Sequence, residues 1–257
     1  KPESSPRDDT LTRSLELHEL LVARLIDDSS LDDMAAALAD FLNCCVLVED
    51  TGSSVLSLRF AGAMDGAQKD AILACLSKPA AAGGKKGINQ NTRRSLPVFL
   101  TDEYDGLTVT RLIYCIRSDV GYLGSLSVLR VSGSFIETEL AVMQNAVDLF
   151  AVRLSQDKKI AGIELRLKGN FIEDLISTHY SDPESIMNRA RALEYNIAQP
   201  HRVLVAEIEN IKQLLSHLGN DPKKAAEYKL ELVKSIQSRL SQLAAGMVIH
   251  HNDELIL

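Results

Sequence analysis

The residues with the clearest potential for chemistry lie near the C-terminus, where two histidines are followed by two carboxylates. His250 and His251 are adjacent, and so are Asp253 and Glu254. Adjacent side chains on a strand point to opposite faces, so the two histidines are a poor chelate, and no third ligand lies at a useful spacing. The two carboxylates are typical of a solvated hairpin tip. The chain also lacks a phosphate-binding glycine loop, a nucleophile elbow and a His-Glu-x-x-His motif. The sequence therefore predicts no catalytic site, no metal and no cofactor, and a protein that is not an enzyme.

The cysteines offer no stronger site. Cys44, Cys45, Cys75 and Cys115 are the four in the chain. All four stand in apolar stretches, where a free cysteine behaves as a small buried hydrophobic residue. We predict a packing role for them rather than redox or metal chemistry.

Charge limits the partners. The net charge is −7, from 35 acidic and 28 basic residues, and the basic residues form only short, scattered pairs. A protein that binds nucleic acid by itself usually carries a concentrated basic face, so this chain alone should not bind DNA tightly. No run approaches the roughly 20 apolar residues that span a bilayer, and the charged start does not resemble a signal peptide. These features predict a cytoplasmic protein without a membrane partner.

The hydrophobic pattern predicts the helices and strands that could position a site. A length of 257 residues indicates two domains. Residues 1–10 form a polar tail, predicted to be disordered. The next elements predicted are helices over 11–26 and up to 42, a hairpin over 44–49 and 54–60, a helix over 65–76, a mobile loop over 78–90, and strands over 107–117 and 122–131.

A long helical pattern without proline runs from Phe135 to about Thr178. Its apolar positions recur at spacings of three, four and seven residues, as on a helix that packs against a partner. Two interpretations stay open: a dimerisation seam, or two ordinary helices that each pack on their own domain. The predicted seam consists of Leu140, Met143, Val147, Phe150, Leu154, Ile160, Ile163 and Leu167.

After this helix the pattern predicts a helix over 184–193, a strand over 201–208 and an amphipathic helix over 221–243. Residues 247–249 and 255–257 then form a predicted hairpin with Asp253 and Glu254 in its turn. Because the chain ends on this apolar strand, we expect it to be a fragment of a longer protein.

The stretch from Leu11 to Gln156 resembles a GAF domain. The resemblance lies in the order of elements, and above all in Leu112–Ile116 running into Gly121–Leu126, followed by Phe135 and the acidic start of the last helix. It implies a small-molecule pocket between the sheet and the loop that crosses it. The loop and strand residues with suitable aromatic or basic chemistry are Arg59, Phe60, Phe99, Tyr104, Arg111, Tyr114 and Tyr122. An arginine there would favour an anionic ligand.

The stretch from Lys168 onward resembles the GGDEF-like domain of PucR/CdaR-type bacterial transcription regulators. The residues that carry this resemblance are Gly169–Ile176, Arg189, Ala190, Leu193 and Pro200 with the following Val203–Ala206 strand. The family places a sensory domain before this module and a helix-turn-helix domain after it. DNA binding is therefore expected only through a C-terminal domain beyond Leu257.

Nucleotide cyclisation is a remote alternative. An active cyclase uses a Gly-Gly-Asp-Glu-Phe hairpin whose bare backbone approaches GTP. The corresponding positions here are His251–Leu255, and the two glycines are replaced by His251 and Asn252, whose side chains would fill the phosphate approach.

The sequence as a whole predicts an α+β protein: a GAF-like antiparallel sheet flanked by helices, a linker helix, and a partial ferredoxin-like or GGDEF-like α/β domain. The predicted divisions are a tail over 1–10, the GAF-like domain over 11–156, a connecting helix over 157–180 and the GGDEF-like domain over 181–257. The predicted function is the sensory and dimerisation region of a bacterial transcription regulator, a homodimer that binds a small effector. The alternative is a ligand-independent dimerisation module of the same kind of regulator.

Overall fold

The structure, a computed structural model, describes residues 6–77, 97–119, 121–177, 182–193, 195–199, 203–207, 248–251 and 254–256, with positions 216, 228, 232, 233, 235–237, 239 and 240. The chain divides into two compact units, Lys1–Lys158 and Lys159–Leu257. The division falls two residues after the predicted end of the first domain at 156.

The first unit is built on a five-stranded antiparallel sheet. Its strands are β1 (Cys45–Asp50), β2 (Val55–Phe60), β3 (Val98–Tyr104), β4 (Leu107–Ser118) and β5 (Gly121–Val131). They are arranged in the order β2-β1-β5-β4-β3. The helices of this unit are α1 (Pro6–Ile26), α2 (Leu31–Leu42), α3 (Gly66–Ser77) and the start of α4 (Glu137–Ser177). An antiparallel sheet with separate helices confirms the predicted α+β class.

Strand β3 was not predicted from the sequence. It pairs with β4 through a tight turn at Asp105 and Gly106, whose φ angles of 48° and 76° are both positive. Two consecutive positive φ angles characterise the type I′ hairpin turn, and Asp-Gly is among its preferred sequences. That dipeptide was the signal from which this strand could have been predicted.

The predicted start of α2 is confirmed. Ser30 Oγ accepts a hydrogen bond from the Asp33 N–H at 3.1 Å, and Asp33 Oδ2 accepts one from the Ser30 N–H at 3.0 Å. This capping box satisfies backbone donors that the first helical turn leaves without partners. Asn43 ends the helix in the left-handed conformation and leads directly into β1.

The two faces of the sheet carry separate apolar clusters. One face, here called the helical face, packs against α1, α2 and the first part of α4 through side chains such as Val46, Leu112 and Val128. The opposite face, here called the α3 face, packs against α3 through Cys45, Leu47, Val109, Leu129 and Val131. Side chains alternate between the faces along each strand, so a residue's position in a strand decides which cluster it joins.

The start of the first helix differs from the sequence prediction, whereas the long helix is close to it. Residues 6–10, predicted to belong to a disordered tail, form the start of α1. Pro6 suits the first turn of a helix, because its ring presets the helical φ angle. The predicted helix from 135 to 178 is a single helix of 41 residues, α4.

The second unit contains the end of α4, the helix α5 (Pro183–Ala192) and a small sheet. Strands β6 (Val205–Glu207), β7 (Ile249–His251) and β8 (Glu254–Ile256) pair antiparallel in the order β6-β8-β7. The predicted C-terminal hairpin is therefore confirmed. Glu254, however, opens β8 and pairs with His251 instead of lying in the turn.

A small core joins α4 to α5. Phe171 is buried against Ile186 and Ala190, and Arg189 donates to Asp174 at 2.6 Å. Asp182 caps the start of α5 by accepting hydrogen bonds from the backbone of residues 184 and 185. Several of the residues that carry the resemblance to PucR/CdaR-type regulators thus pack together.

None of the helices in the described part of the chain combines the length and the apolarity that a membrane crossing requires.

Candidate functional site

A row of polar side chains interrupts the α3 face of the sheet. Along β4, the residues that point to this face are Val109, Arg111, Ile113, Cys115 and Arg117, as the alternation of a strand requires. Val109 lies in the apolar cluster against α3. The two arginines follow it toward the other end of β4. Arg111 pairs with the apolar Leu129 on β5, and beyond this pair lie the polar side chains of Ser127, Ser125 and Glu49 on β5 and β1.

The first arginine, Arg111, is held by hydrogen bonds to side chains on β1 and β5. Arg111 Nη2 donates to Glu49 Oε2 at 3.1 Å and to Ser127 Oγ at 3.1 Å. Glu49 Oε2 also accepts from Ser125 Oγ at 3.2 Å. The Arg111 and Glu49 side chains are only 13% and 20% exposed, and Ser125 and Ser127 are buried. This network neutralises both charges, so it can hold the face in shape with little net charge of its own.

Two donor atoms of the second arginine, Arg117, lack acceptors among the described residues. The Nε and Nη2 atoms of Arg117 are buried and have no hydrogen-bond partner in the part of the chain that the structure describes. A buried donor without an acceptor costs about 1–3 kcal/mol, and more when it is charged. An anion that accepted both N–H groups would recover this energy, because a guanidinium binds carboxylate and phosphate oxygens in a fork.

Tyr122 lies directly across from Arg117 on β5. Burial raises the pKa of Tyr122 above its usual value, and the nearby Cys115 and Glu49 act in the same direction. A hydrogen bond with Ser125 and the charge of Arg117 oppose this rise without cancelling it. The phenol is therefore neutral at pH 7 and can offer a hydrogen bond beside the arginine.

A bulge in β5 fixes this arrangement. Ile116 pairs with Gly124 whereas Arg117 pairs with Tyr122, so Leu123 has no partner in β4. Bulges of this kind turn side chains toward a new direction. Gly124 has a φ of 153°, and a Cβ atom there would lie 2.1 Å from the Glu49 carbonyl oxygen. Only glycine permits this close approach between β5 and β1.

Arg111 and Glu49 form an ion pair, whereas two donor atoms of Arg117 have no acceptor among the described residues. The site can therefore bind a small anion, with Tyr122 and Ser125 as neighbouring hydrogen-bonding groups. Within the described residues, no group of three histidine, cysteine, aspartate or glutamate side chains could hold a metal ion.

The seven residues predicted to bind a ligand are not all brought together. Arg111 and Tyr122 belong to the polar row, and Phe60 packs at the apolar cluster of the same face. The other four lie elsewhere: Arg59 pairs with Asp32 of α2, Tyr114 is buried on the helical face with its hydroxyl 3.4 Å from the Leu140 carbonyl oxygen, and Phe99 and Tyr104 are exposed on β3.

Sequence reasoning missed four members of the polar row: Glu49, Arg117, Ser125 and Ser127. The alternation of β4 was a usable signal for one of them, because Arg117 stands six residues after Arg111 and must share its face. The loop predicted over 78–90 lies outside the described residues.

The predicted dimerisation residues divide into two groups. Met143, Val147, Phe150 and Leu154 are buried in the core of the first unit, and Leu140 packs partly buried against it. Ile160, Ile163 and Leu167 are each 52% exposed. The exposed part of the seam is therefore its second half.

The positions corresponding to the cyclase hairpin are only partly described. The backbone of His251 pairs with that of Glu254. Asn252 and Asp253, between them, lie outside the described residues.

Comparison with known proteins gives little beyond this geometry. No protein-family model matches the chain, and no curated protein matches it. Among solved structures, the sensor domain of the zinc-responsive histidine kinase CzcS from Pseudomonas aeruginosa is similar at 21% sequence identity, covering 50% of this chain and 98% of that chain. The TM-score of this match is 0.19, which is too low to assign a fold or a function to the chain.

Proposed function

We propose that the first unit is a GAF-like sensory domain that binds a small anionic effector at the α3 face. The observation that carries this proposal is Arg117, whose Nε and Nη2 atoms are buried without an acceptor among the described residues. Arg111, which lies six residues earlier on the same strand, is paired with Glu49, so Arg117 is the arginine of this row that is available to attract an incoming anion.

The proposal extends to the whole chain. The elements that resemble PucR/CdaR-type regulators follow the sensory unit, and the charge of −7 argues against direct DNA binding. The chain then acts as the sensory region of a bacterial transcription regulator, with DNA contacted through a separate C-terminal domain. An effector changes the output only if it binds one arrangement of the regulator more tightly than another.

Binding can be tested by thermal-shift screening and calorimetry. The panel contains small carboxylates and phosphate esters, each matched with its uncharged amide or alcohol. We expect selected anions to raise the melting temperature and their uncharged partners to leave it unchanged. Equal stabilisation by charged and uncharged partners, or no binding by any compound, would contradict the proposal.

Matched variants locate the site. Arg117→Gln removes the charge and should weaken anion binding at least tenfold, since a hydrogen bond to a charged group contributes about 1.5–3 kcal/mol. Arg59→Gln is the control, because Arg59 is a half-exposed arginine that pairs with Asp32 on the opposite face of the sheet. Equal affinity in the Arg117→Gln and wild-type proteins would contradict the assignment of the site.

The runner-up function is a ligand-independent dimerisation module. It is favoured by one observation, the three half-exposed apolar residues Ile160, Ile163 and Leu167 on one helix. A chain that dimerises but binds no member of the panel would support this alternative over effector sensing.

Neither proposal includes a catalytic step. Incubation with GTP and Mg²⁺ should yield no cyclic product, because His251 and Asn252 stand where an active cyclase has glycines. Formation of a cyclic nucleotide would overturn this part of the proposal.

A further inference from the structure

The second half of α4 carries an apolar stripe with a definite spacing. Ile160, Ile163 and Leu167 are separated by three and then four residues, which is the a-d-a spacing of a coiled coil. Each is 52% exposed, although apolar residues of this size are usually buried when their helix packs on its own domain. No other described element covers these three side chains completely.

The charges beside the stripe indicate what covers it. With Ile160 at position a, Lys159 occupies the preceding g position and Glu164 the following e position. In a parallel, in-register pair of helices, a g position faces the e position of the next heptad on the partner helix. Two copies of α4 would therefore bring Lys159 of each copy next to Glu164 of the other.

The opposite orientation is disfavoured by the same charges. An antiparallel pair places g positions of one helix along g positions of the other, and both g positions of this stripe, Lys159 and Arg166, are basic. Both residues are exposed, so their repulsion would not be relieved within the described part of their own chain.

We propose that the stripe Ile160–Ile163–Leu167 binds a second copy of this chain, with the two α4 helices parallel and in register. Lys159 and Glu164 set the orientation, and the apolar stripe provides the attraction. Three side chains from each copy form a small interface, so the dimer dissociates at low protein concentration. This proposal is independent of the effector site, because none of its residues belongs to the α3 face.

Sedimentation velocity over a wide range of protein concentrations tests the apolar part. We expect a monomer–dimer equilibrium, which Leu167→Lys weakens at least tenfold because each copy loses a buried leucine. Leu73→Lys is the matched control: Leu73 is 45% exposed on α3, and the same substitution there should leave the equilibrium unchanged. A monomer at all concentrations, a trimer, or equal weakening by both variants would overturn the proposal.

A charge swap tests the orientation. Lys159→Glu and Glu164→Lys each place like charges together twice in a parallel dimer, so each should weaken dimerisation several-fold. The double variant restores two attractive pairs and should return the dissociation constant to within about twofold of the wild type. Circular dichroism of each variant verifies that the helix content is unchanged. If the dissociation constant of the double variant rises by the two single effects combined, the parallel register is excluded.

Discussion

Arg130 and Glu139 form a two-pronged ion pair that ties the sheet to the start of α4. Arg130 Nη1 donates to Glu139 Oε2 at 2.9 Å, and Nη2 donates to Oε1 at 2.8 Å. Nη2 also reaches the carbonyl oxygen of Leu42 at 2.6 Å, and the guanidinium lies over the ring of Phe135. One arginine on β5 thus joins the end of α2 and the start of α4, and fixes both helices to the strand that carries Tyr122.

The first prediction concerns the stability supplied by this pair. Glu139→Gln removes the charge while keeping the side-chain shape, and it leaves a partly buried Arg130 without its counterion. We expect the free energy of unfolding to fall by about 2 kcal/mol, as for other charged hydrogen bonds in partly buried surroundings. Urea denaturation measures this change.

Asp28→Asn provides the control for that prediction. Asp28 also pairs with an arginine, Arg153 at 2.9 Å, but its own side chain is 91% exposed. Ion pairs at the surface contribute roughly 0–1 kcal/mol, so this variant should lose clearly less stability than Glu139→Gln. Equal losses in the two variants would show that burial adds nothing to the Arg130–Glu139 pair.

The second prediction concerns pH. Burial acts to raise the pKa of Glu139, but the hydrogen bonds from Arg130 and from the Ile136 N–H, with the charge of Arg130, outweigh it and hold the pKa below its usual value. The stability that the carboxylate contributes is therefore complete above the unfolded pKa of about 4.3, and it is lost as pH falls through the lower folded pKa.

The difference in unfolding free energy between wild type and Glu139→Gln isolates this contribution, because the other carboxylates are common to both proteins. We expect the difference to be constant above about pH 5 and to shrink toward zero in more acidic solution. A difference that stays constant throughout, or grows as the solution becomes more acidic, would contradict the lowered pKa.

The third prediction concerns the close approach of β5 to β1. Gly124→Ala places a Cβ atom 2.1 Å from the backbone oxygen of Glu49, at a φ that alanine rarely adopts. We expect a loss of about 3 kcal/mol or more, because two paired strands would have to separate. Gly66→Ala is the control, since a Cβ atom at Gly66 meets nothing within 4 Å. Thermal or urea unfolding of both variants provides the comparison.

The fourth prediction concerns the thiols. All four cysteines lie in the described part of the chain, where they are buried and form no disulfide. Burial raises the pKa of Cys45 to about 12 and raises that of Cys44 further. We expect none of the four thiols to react quickly with a disulfide reagent at about pH 8, where an exposed thiol with a pKa of about 8.5 reacts readily. All four should react once denaturant unfolds the chain. Rapid reaction of the native protein would show that a cysteine is accessible.

The local elements were largely predictable, because they depend on neighbours in the sequence. The capping box of Ser30 and Asp33 and the long helix α4 are examples, since a cap needs only three residues and a helix only a repeating pattern. Strand β3 escaped prediction although the Asp105-Gly106 turn signals a hairpin. The start of α1 at Pro6 differs from the prediction because a polar, proline-containing segment is also typical of a disordered tail.

The candidate site was only partly predictable. The resemblance to a GAF domain implied a pocket at the sheet, and Arg111 and Tyr122 were among the candidates whose chemistry suited it. Tyr114 was another candidate, although the structure buries Tyr114 on the helical face. The face of a side chain follows from its strand's register, and the register depends on pairing with distant strands.

By itself, the sequence determined the α+β composition of elements, the helical repeat of α4 and the excess of negative charge, since each depends on residue types and short spacings. The tertiary structure alone decided that Arg111 hydrogen-bonds to Glu49 and Ser127, that Ser125 hydrogen-bonds to Glu49, and that Arg117 has two buried donors without acceptors in the described part of the chain. Glu49 and Arg111 are 62 residues apart in the chain. They come within hydrogen-bonding distance only because β1 and β4 both pair with β5. The attraction between two side chains this far apart in the sequence is too weak to close the loop between them, so the strand pairing must position them first.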